Sequence, residues 1–146
     1  MDLVLPDLTK CKQVFSECAQ DQGNLSGASL KTALQQFGYN FTVQEIERTI
    51  NIYSVSKKSL NAKQFVNLIY ICSNVTVEDK YKMLFLLADT DCDGKISNNE
   101  FIQIMQRLGA LMDEEGLSNL MQEVVDNNDG TMSYDCFTSL LEQILQ

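Results

Sequence analysis

Twelve consecutive residues carry most of the chemistry available to this chain. Residues 89–100 read Asp-Thr-Asp-Cys-Asp-Gly-Lys-Ile-Ser-Asn-Asn-Glu. Asp89, Asp91 and Asp93 alternate, so a curling loop turns their carboxylates towards one point. Gly94 stands where the backbone must bend sharply, in a conformation an ordinary side chain opposes. Lys95 offers its backbone carbonyl and can point its charge away. Ser97 offers a hydroxyl, directly or through a water, and Glu100 offers two oxygens from the start of the next helix. Such a set suits a hard cation that takes about six to eight oxygens at about 2.3–2.6 Å, which is Ca²⁺. One site is expected, with Mg²⁺ as an alternative occupant at rest. Specified positions in one register, flanked by helical periodicity, separate this loop from a merely solvated acidic turn.

Convergence of this kind needs helices to hold the ends of the loop. A short pattern recurs four times, on the aliphatics Leu25, Leu60, Ile96 and Met132. Five residues after each comes an apolar helix residue: Leu30, Phe65, Phe101 and Phe137. Ile96 should face inward and pair, strand to strand, with the matching residue of the neighbouring loop. Helical periodicity before and after each unit predicts eight helices, over 7–18, 27–37, 43–53, 61–72, 77–88, 98–108, 114–124 and 134–145. Thr42-Val43-Gln44-Glu45 and Thr76-Val77-Glu78-Asp79 have capping-box form, and Asp113 precedes two glutamates. Gly38 and Gly109 stand where the second and sixth helices should stop. Residues 73–76 form the expected junction between two halves.

With those residues in place, the chain resembles calmodulin and its relatives, the myosin light chains included. Residues 89–100 match the EF-hand loop throughout. Phe85 and Phe101 stand where that family places its aromatics, and residues 83–89, Met-Leu-Phe-Leu-Leu-Ala-Asp, resemble its entry helix. The resemblance implies an all-α fold of two EF-hand-pair lobes, four helix-loop-helix units in all, joined by a short helical linker. The expected domains are residues 1–73, with two degenerate hands and no metal, and residues 74–146, with one intact hand and one degenerate hand.

Three loops depart from the pattern. The fourth, residues 125–136, keeps its length and Gly130 but has Val125 at position one and Cys136 at position twelve. Both anchoring carboxylates are missing, and a hard dication would not recover its dehydration cost there. The first loop, near 19–29, is one residue short and has Ser29 where the bidentate acid belongs. The second, near 54–64, is also one residue short, has no acid, and puts Lys57 and Lys58 where a cation would sit.

The remaining composition narrows the function. There is no His, so His-paired Ser or Cys nucleophiles are excluded, and no glycine-rich phosphate loop occurs. The chain is read as not an enzyme. Net charge is −9, and it is uneven: residues 1–75 hold six acids and seven bases, residues 76–146 fourteen acids and four bases. That balance opposes sequence-independent nucleic-acid binding and favours basic protein partners or cations. No apolar run approaches membrane-spanning length. The N-terminus resembles neither a signal nor a transit peptide, so a cytoplasmic location is expected, cytoskeletal if bound to myosin. Cys11, Cys18, Cys72, Cys92 and Cys136 are accordingly read as reduced thiols, with Cys11 and Cys18 as packing residues and Cys92 pointing outward from its loop.

Met83, Met105, Met112 and Met121 are expected on helices of the second lobe, as core or as a soft groove for an amphipathic helix. By the resemblance, Phe85, Met105, Leu120 and Met121 are the candidate groove residues. The expected partner is a basic amphipathic helix such as an IQ motif, in particular of a myosin heavy chain, held by a chain that is monomeric when free. The alternative is a free-standing Ca²⁺ sensor that meets a kinase, channel or other target only when Ca²⁺ opens the second lobe.

Overall fold

The computed structural model describes residues 3–19, 23–53, 58–75 and 80–144. Among them the chain forms eight helices and one two-stranded sheet, so the all-α expectation holds. Two compact units result: Pro6–Ile69 forms one, and Met1–Leu5 with Tyr70–Gln146 forms the other. The border lies a few residues before the expected one at 73/74, and the N-terminal residues go with the second unit. The physical reason is visible at Tyr70 and Asn74, whose side chains bond to Asp89 and Val4 of that unit.

The first unit contains α1 (Leu8–Ala19), β1 (Leu25–Ser26), α2 (Gly27–Gln35), α3 (Val43–Tyr53), β2 (Ser59–Leu60) and the greater part of α4 (Ala62–Asn74). β1 and β2 pair antiparallel, with Leu25 opposite Leu60 and Ser26 opposite Ser59. The helices bury residues three and four apart: Leu30, Ala33 and Leu34 on α2, and Ile46, Thr49 and Ile50 on α3. Phe65 lies at the centre, fully buried, with the rings of Phe15 and Phe37 at centroid distances of 6.2 and 6.0 Å. Truncating such a ring to alanine costs about 3–5 kcal/mol. The start of α3 is held by its capping box: Glu45 N–H donates to Thr42 Oγ1, and Thr42 N–H donates to Glu45 Oε1. Gly38 ends α2 at φ +86°, and the next N–H, from Tyr39, returns to the Leu34 carbonyl.

The second unit contains the end of α4, α5 (Lys80–Ala88), α6 (Asn98–Arg107), α7 (Glu114–Val124) and α8 (Tyr134–Ile144). Its core gathers Phe85, Phe101, Ile104, Met105, Leu117, Met121, Phe137 and Leu141. Phe85 meets the rings of Tyr134 and Phe137 edge-on, at 5.2 and 5.7 Å. Ile96 and Met132 form the expected bridge between loops, each N–H donating to the other's carbonyl at 2.9 Å. Asp113 caps α7 by accepting from Gly116 N–H. The capping box at 76–79 lies outside the described residues. No helix of the described residues is long and apolar enough to cross a membrane.

Candidate metal centre

The third loop runs from the end of α5 to the first turn of α6, and both helices exist because their apolar residues pack into the second unit. The loop backbone turns through two left-handed residues, Cys92 at φ +54° and Gly94 at φ +83°. These turns bring Asp89, Asp93 and Glu100 together, with one carboxylate oxygen of each within 4.8 Å of the others. Asp89 is fully buried, Glu100 is 5% exposed and Asp93 is exposed.

Glu100 does two jobs. Its Oε1 accepts from Ser97 N–H at 2.9 Å, which closes the capping box of α6 together with the Glu100 N–H donated to Ser97 Oγ. Its Oε2 accepts from Thr90 Oγ1 and Asp91 N–H, which ties the exiting helix to the start of the loop. Asp89 is bound as fully. Its Oδ2 accepts from the Tyr70 hydroxyl at 2.7 Å and from Gly94 N–H at 2.8 Å, and its Oδ1 accepts from Asp93 N–H at 3.3 Å. Burial pushes the Asp89 carboxyl up to about 7 despite these donors, and the charge of Glu100 adds to that. The donor set is all oxygen and anionic, two of its three members are buried, and a hard dication relieves their mutual repulsion. The residues present therefore fit Ca²⁺.

The six expected positions do not all behave alike. Asp89, Asp93 and Glu100 converge as anticipated. Asp91 is exposed and stands outside that trio, its backbone N–H engaged by Glu100. Lys95 points its ammonium to Asp129 of the fourth loop, at 3.1 Å. Ser97 Oγ is occupied as the helix cap.

Other expectations need correction. Cys92 does not point outward; it is 6% exposed. Met112 lies in the connection between α6 and α7, not on a helix, and is 47% exposed. Of the candidate groove residues, Phe85, Met105 and Met121 are buried in the core of the unit and Leu120 is half-buried. Sequence reasoning also missed Tyr70. The only local hint is a phenol within the apolar run of α4, because a buried tyrosine hydroxyl needs a partner.

The fourth loop keeps the shape and spends its polar groups internally. Gly130 has φ +81°. Asp126 accepts from Ser133 N–H and Oγ, and Asp129 accepts from Thr131 N–H and Oγ1. These bonds hold the Asp126 carboxyl below its ordinary range, and those of Thr131 with Lys95 bring Asp129 down to about 2. Cys136 Sγ donates to the Val124 carbonyl, so position twelve ties the exiting helix to the end of α7. In the first loop, Ser29 holds the corresponding place and shares a capping box with Ser26. In the second, Gln64 and Asn61 cap α4 reciprocally. Position twelve is also the third residue of the exiting helix, so a serine or glutamine preserves the cap while removing the metal ligand. Residues 20–22 and 54–57, with Asp21 and Lys57, lie outside the described residues; Lys58 is exposed.

Residues 78–142 match the family model of the EF-hand domain pair. Calcineurin B type 1 of Dictyostelium discoideum is 31% identical over 103 residues, which is 66% of this chain and 57% of that protein. The myosin regulatory light chain of Physarum polycephalum is 27% identical over 92% of this chain and 90% of its own length. Calcium-dependent protein kinase 10 of Arabidopsis thaliana is 26% identical over 96% of this chain. The chain thus spans little more than half of the calcineurin protein and only 26% of the kinase. Residues 78–142 are thus similar to an EF-hand domain pair, and the relatives of the chain include a putative calmodulin-like protein of Oryza sativa, 33% identical over 44% of this chain and 38% of its own length.

Proposed function

We propose that this protein is a non-enzymatic, calmodulin-like light chain that binds a basic amphipathic helix, an IQ motif of a myosin heavy chain in particular. It carries one Ca²⁺, in the third loop, on Asp89, Asp93 and Glu100, with Asp91, the Lys95 carbonyl and Ser97 as further oxygen donors. Mg²⁺ is the competing ion at rest. The observation that carries this reading is the end-to-end likeness to a myosin regulatory light chain, over 90% of that protein. Charge supports it: residues 76–146 hold fourteen acids and four bases, which attracts a basic helix without any ion. The first lobe lacks the carboxylates that would let Ca²⁺ open it, so its grip is constitutive. The proposed setting is cytoplasmic, cytoskeletal when bound to myosin.

A second reading rests on the burial of Phe85, Met105 and Met121. If these residues meet a target, the second lobe must open first, and Ca²⁺ is the agent that opens such lobes in sensors. The protein would then be a free-standing sensor. Calorimetric titration of an IQ-motif peptide, in EGTA and again in Ca²⁺, separates the two. Tight binding in EGTA, little changed by Ca²⁺, is expected of the light chain. Binding that appears only with Ca²⁺ would replace it with the sensor, and no binding in either buffer would reject an IQ target.

A further inference from the structure

The Tyr70 hydroxyl stands 2.7 Å from Asp89 Oδ2, and both residues are fully buried. Tyr70 lies on α4, outside the loop and outside its two flanking helices, yet it belongs to the same compact unit as the loop. Its own position is well supported. The Tyr70 carbonyl accepts from Asn74 Nδ2 at 2.8 Å, and Asn74 in turn holds residue 4 by two bonds, Val4 N–H to Oδ1 and Nδ2 to the Val4 carbonyl. The ring itself is fully buried, so the packing around it confines the phenol.

Asp89 Oδ2 accepts two short bonds, 2.7 Å from the Tyr70 hydroxyl and 2.8 Å from Gly94 N–H, and Oδ1 lies 3.3 Å from Asp93 N–H, on the side of the carboxylate cluster. A hydrogen bond to one carboxylate oxygen fixes the rotation of the whole group and leaves the other oxygen in a set direction. Outer partners of this kind orient metal ligands, and losing one lowers metal affinity by about 10–100-fold.

We propose that Tyr70 is a positioning residue of the Ca²⁺ site, which pins Asp89 through Oδ2 so that Oδ1 is presented to the ion alongside Asp93 and Glu100. The inference rests on the Ca²⁺ reading of the third loop. It adds to the loop a determinant from α4 that no twelve-residue pattern contains, so the affinity of the site depends on how the end of that helix is seated.

Tyr70→Phe keeps the ring and removes only the donor. Calorimetric Ca²⁺ titration of the full chain should show binding about tenfold weaker than in the unsubstituted protein, at unchanged stoichiometry. A second, spectroscopic readout follows from proximity. Tb³⁺, a hard oxygen-seeking ion, should emit in the unsubstituted protein when tyrosine is excited. At saturating Tb³⁺, with occupancy confirmed by exciting the ion directly, that emission should fall in Tyr70→Phe and persist in Tyr134→Phe, whose ring packs on Phe85 of α5. Equal or tighter Ca²⁺ binding by Tyr70→Phe overturns the proposal, as does full tyrosine-excited Tb³⁺ emission in that variant. If Tyr70→Phe does not fold, absence of tyrosine-excited emission from the Tb³⁺-loaded unsubstituted protein overturns it alone, and its presence, retained in Tyr134→Phe, supports it. Failure of the unsubstituted protein to bind Ca²⁺ would instead reject the underlying reading of the loop.

Discussion

Lys95 Nζ stands 3.1 Å from Asp129 Oδ2, an ion pair that joins the seventh residue of the third loop to the fifth residue of the fourth. Together with the Ile96–Met132 bridge it makes the two loops one structural piece. It also shows how the fourth loop can keep its form without acids at positions one and twelve. The acid that would face an ion in the fourth loop is held instead by a lysine and by Thr131.

That pair has a pH signature. Asp129 is depressed to about 2, first by Thr131 and then by Lys95, below its ordinary carboxylate value. Its contribution is therefore complete above the unfolded carboxylate range and is lost as pH falls from about 4 to about 2. Both partners are about half exposed, so the effect is small and screened by salt. Between about pH 5 and pH 2, the urea midpoint should fall further for the unsubstituted protein than for Asp129→Asn, and about 1 M salt should narrow the gap.

Glu100→Gln tests the metal site directly. It retains the hydrogen bonds to Ser97 and the helix cap in large part, but removes a charge and a strong ligand oxygen. Ca²⁺ affinity should drop by roughly 100-fold, since charge count among the ligands sets affinity in such loops. Calorimetry gives the answer, with helix content by circular dichroism as the check on folding. Binding unchanged by the substitution would mean that the ion sits elsewhere.

The fourth loop offers the converse experiment. It has the full length and its left-handed Gly130, and it lacks acids at positions one and twelve. Val125→Asp combined with Cys136→Glu should raise the Ca²⁺ stoichiometry from one to two per chain. A stoichiometry still at one would identify the Lys95–Asp129 pair as a second obstacle, and adding Lys95→Gln would then be expected to release it.

Thiol accessibility distinguishes buried from half-buried cysteines. Cys11 is fully buried and Cys92 is 6% exposed, whereas Cys18, Cys72 and Cys136 are half-buried. Burial raises the Cys72 thiol to about 11, which slows its reaction as well. Native-state alkylation followed by mass spectrometry should modify Cys18 well before Cys11 or Cys92. Rapid labelling of Cys92 would show that the third loop opens on its own.

The sequence by itself determined the repeat, the helices and the chemistry of the metal loop. Among the described residues the helix edges fell within about two residues of expectation, the expected start of the fifth helix at 77 lying outside them, and the pairing of Leu25 with Leu60 and Ile96 with Met132 followed from position alone. These features are local, because turn, cap and ligand roles depend on spacings of a few residues that periodicity records. Only the tertiary structure decided the rest. The contacts of Tyr70 with Asp89, Lys95 with Asp129 and Asn74 with Val4 join residues 19, 34 and 70 positions apart. The burial of Cys92 and the exposure of Asp91 depend likewise on what packs around the loop. A spacing rule says which side chains a loop can gather, but burial and distant donors settle which of them it does gather, because both arise from packing between segments remote in the chain.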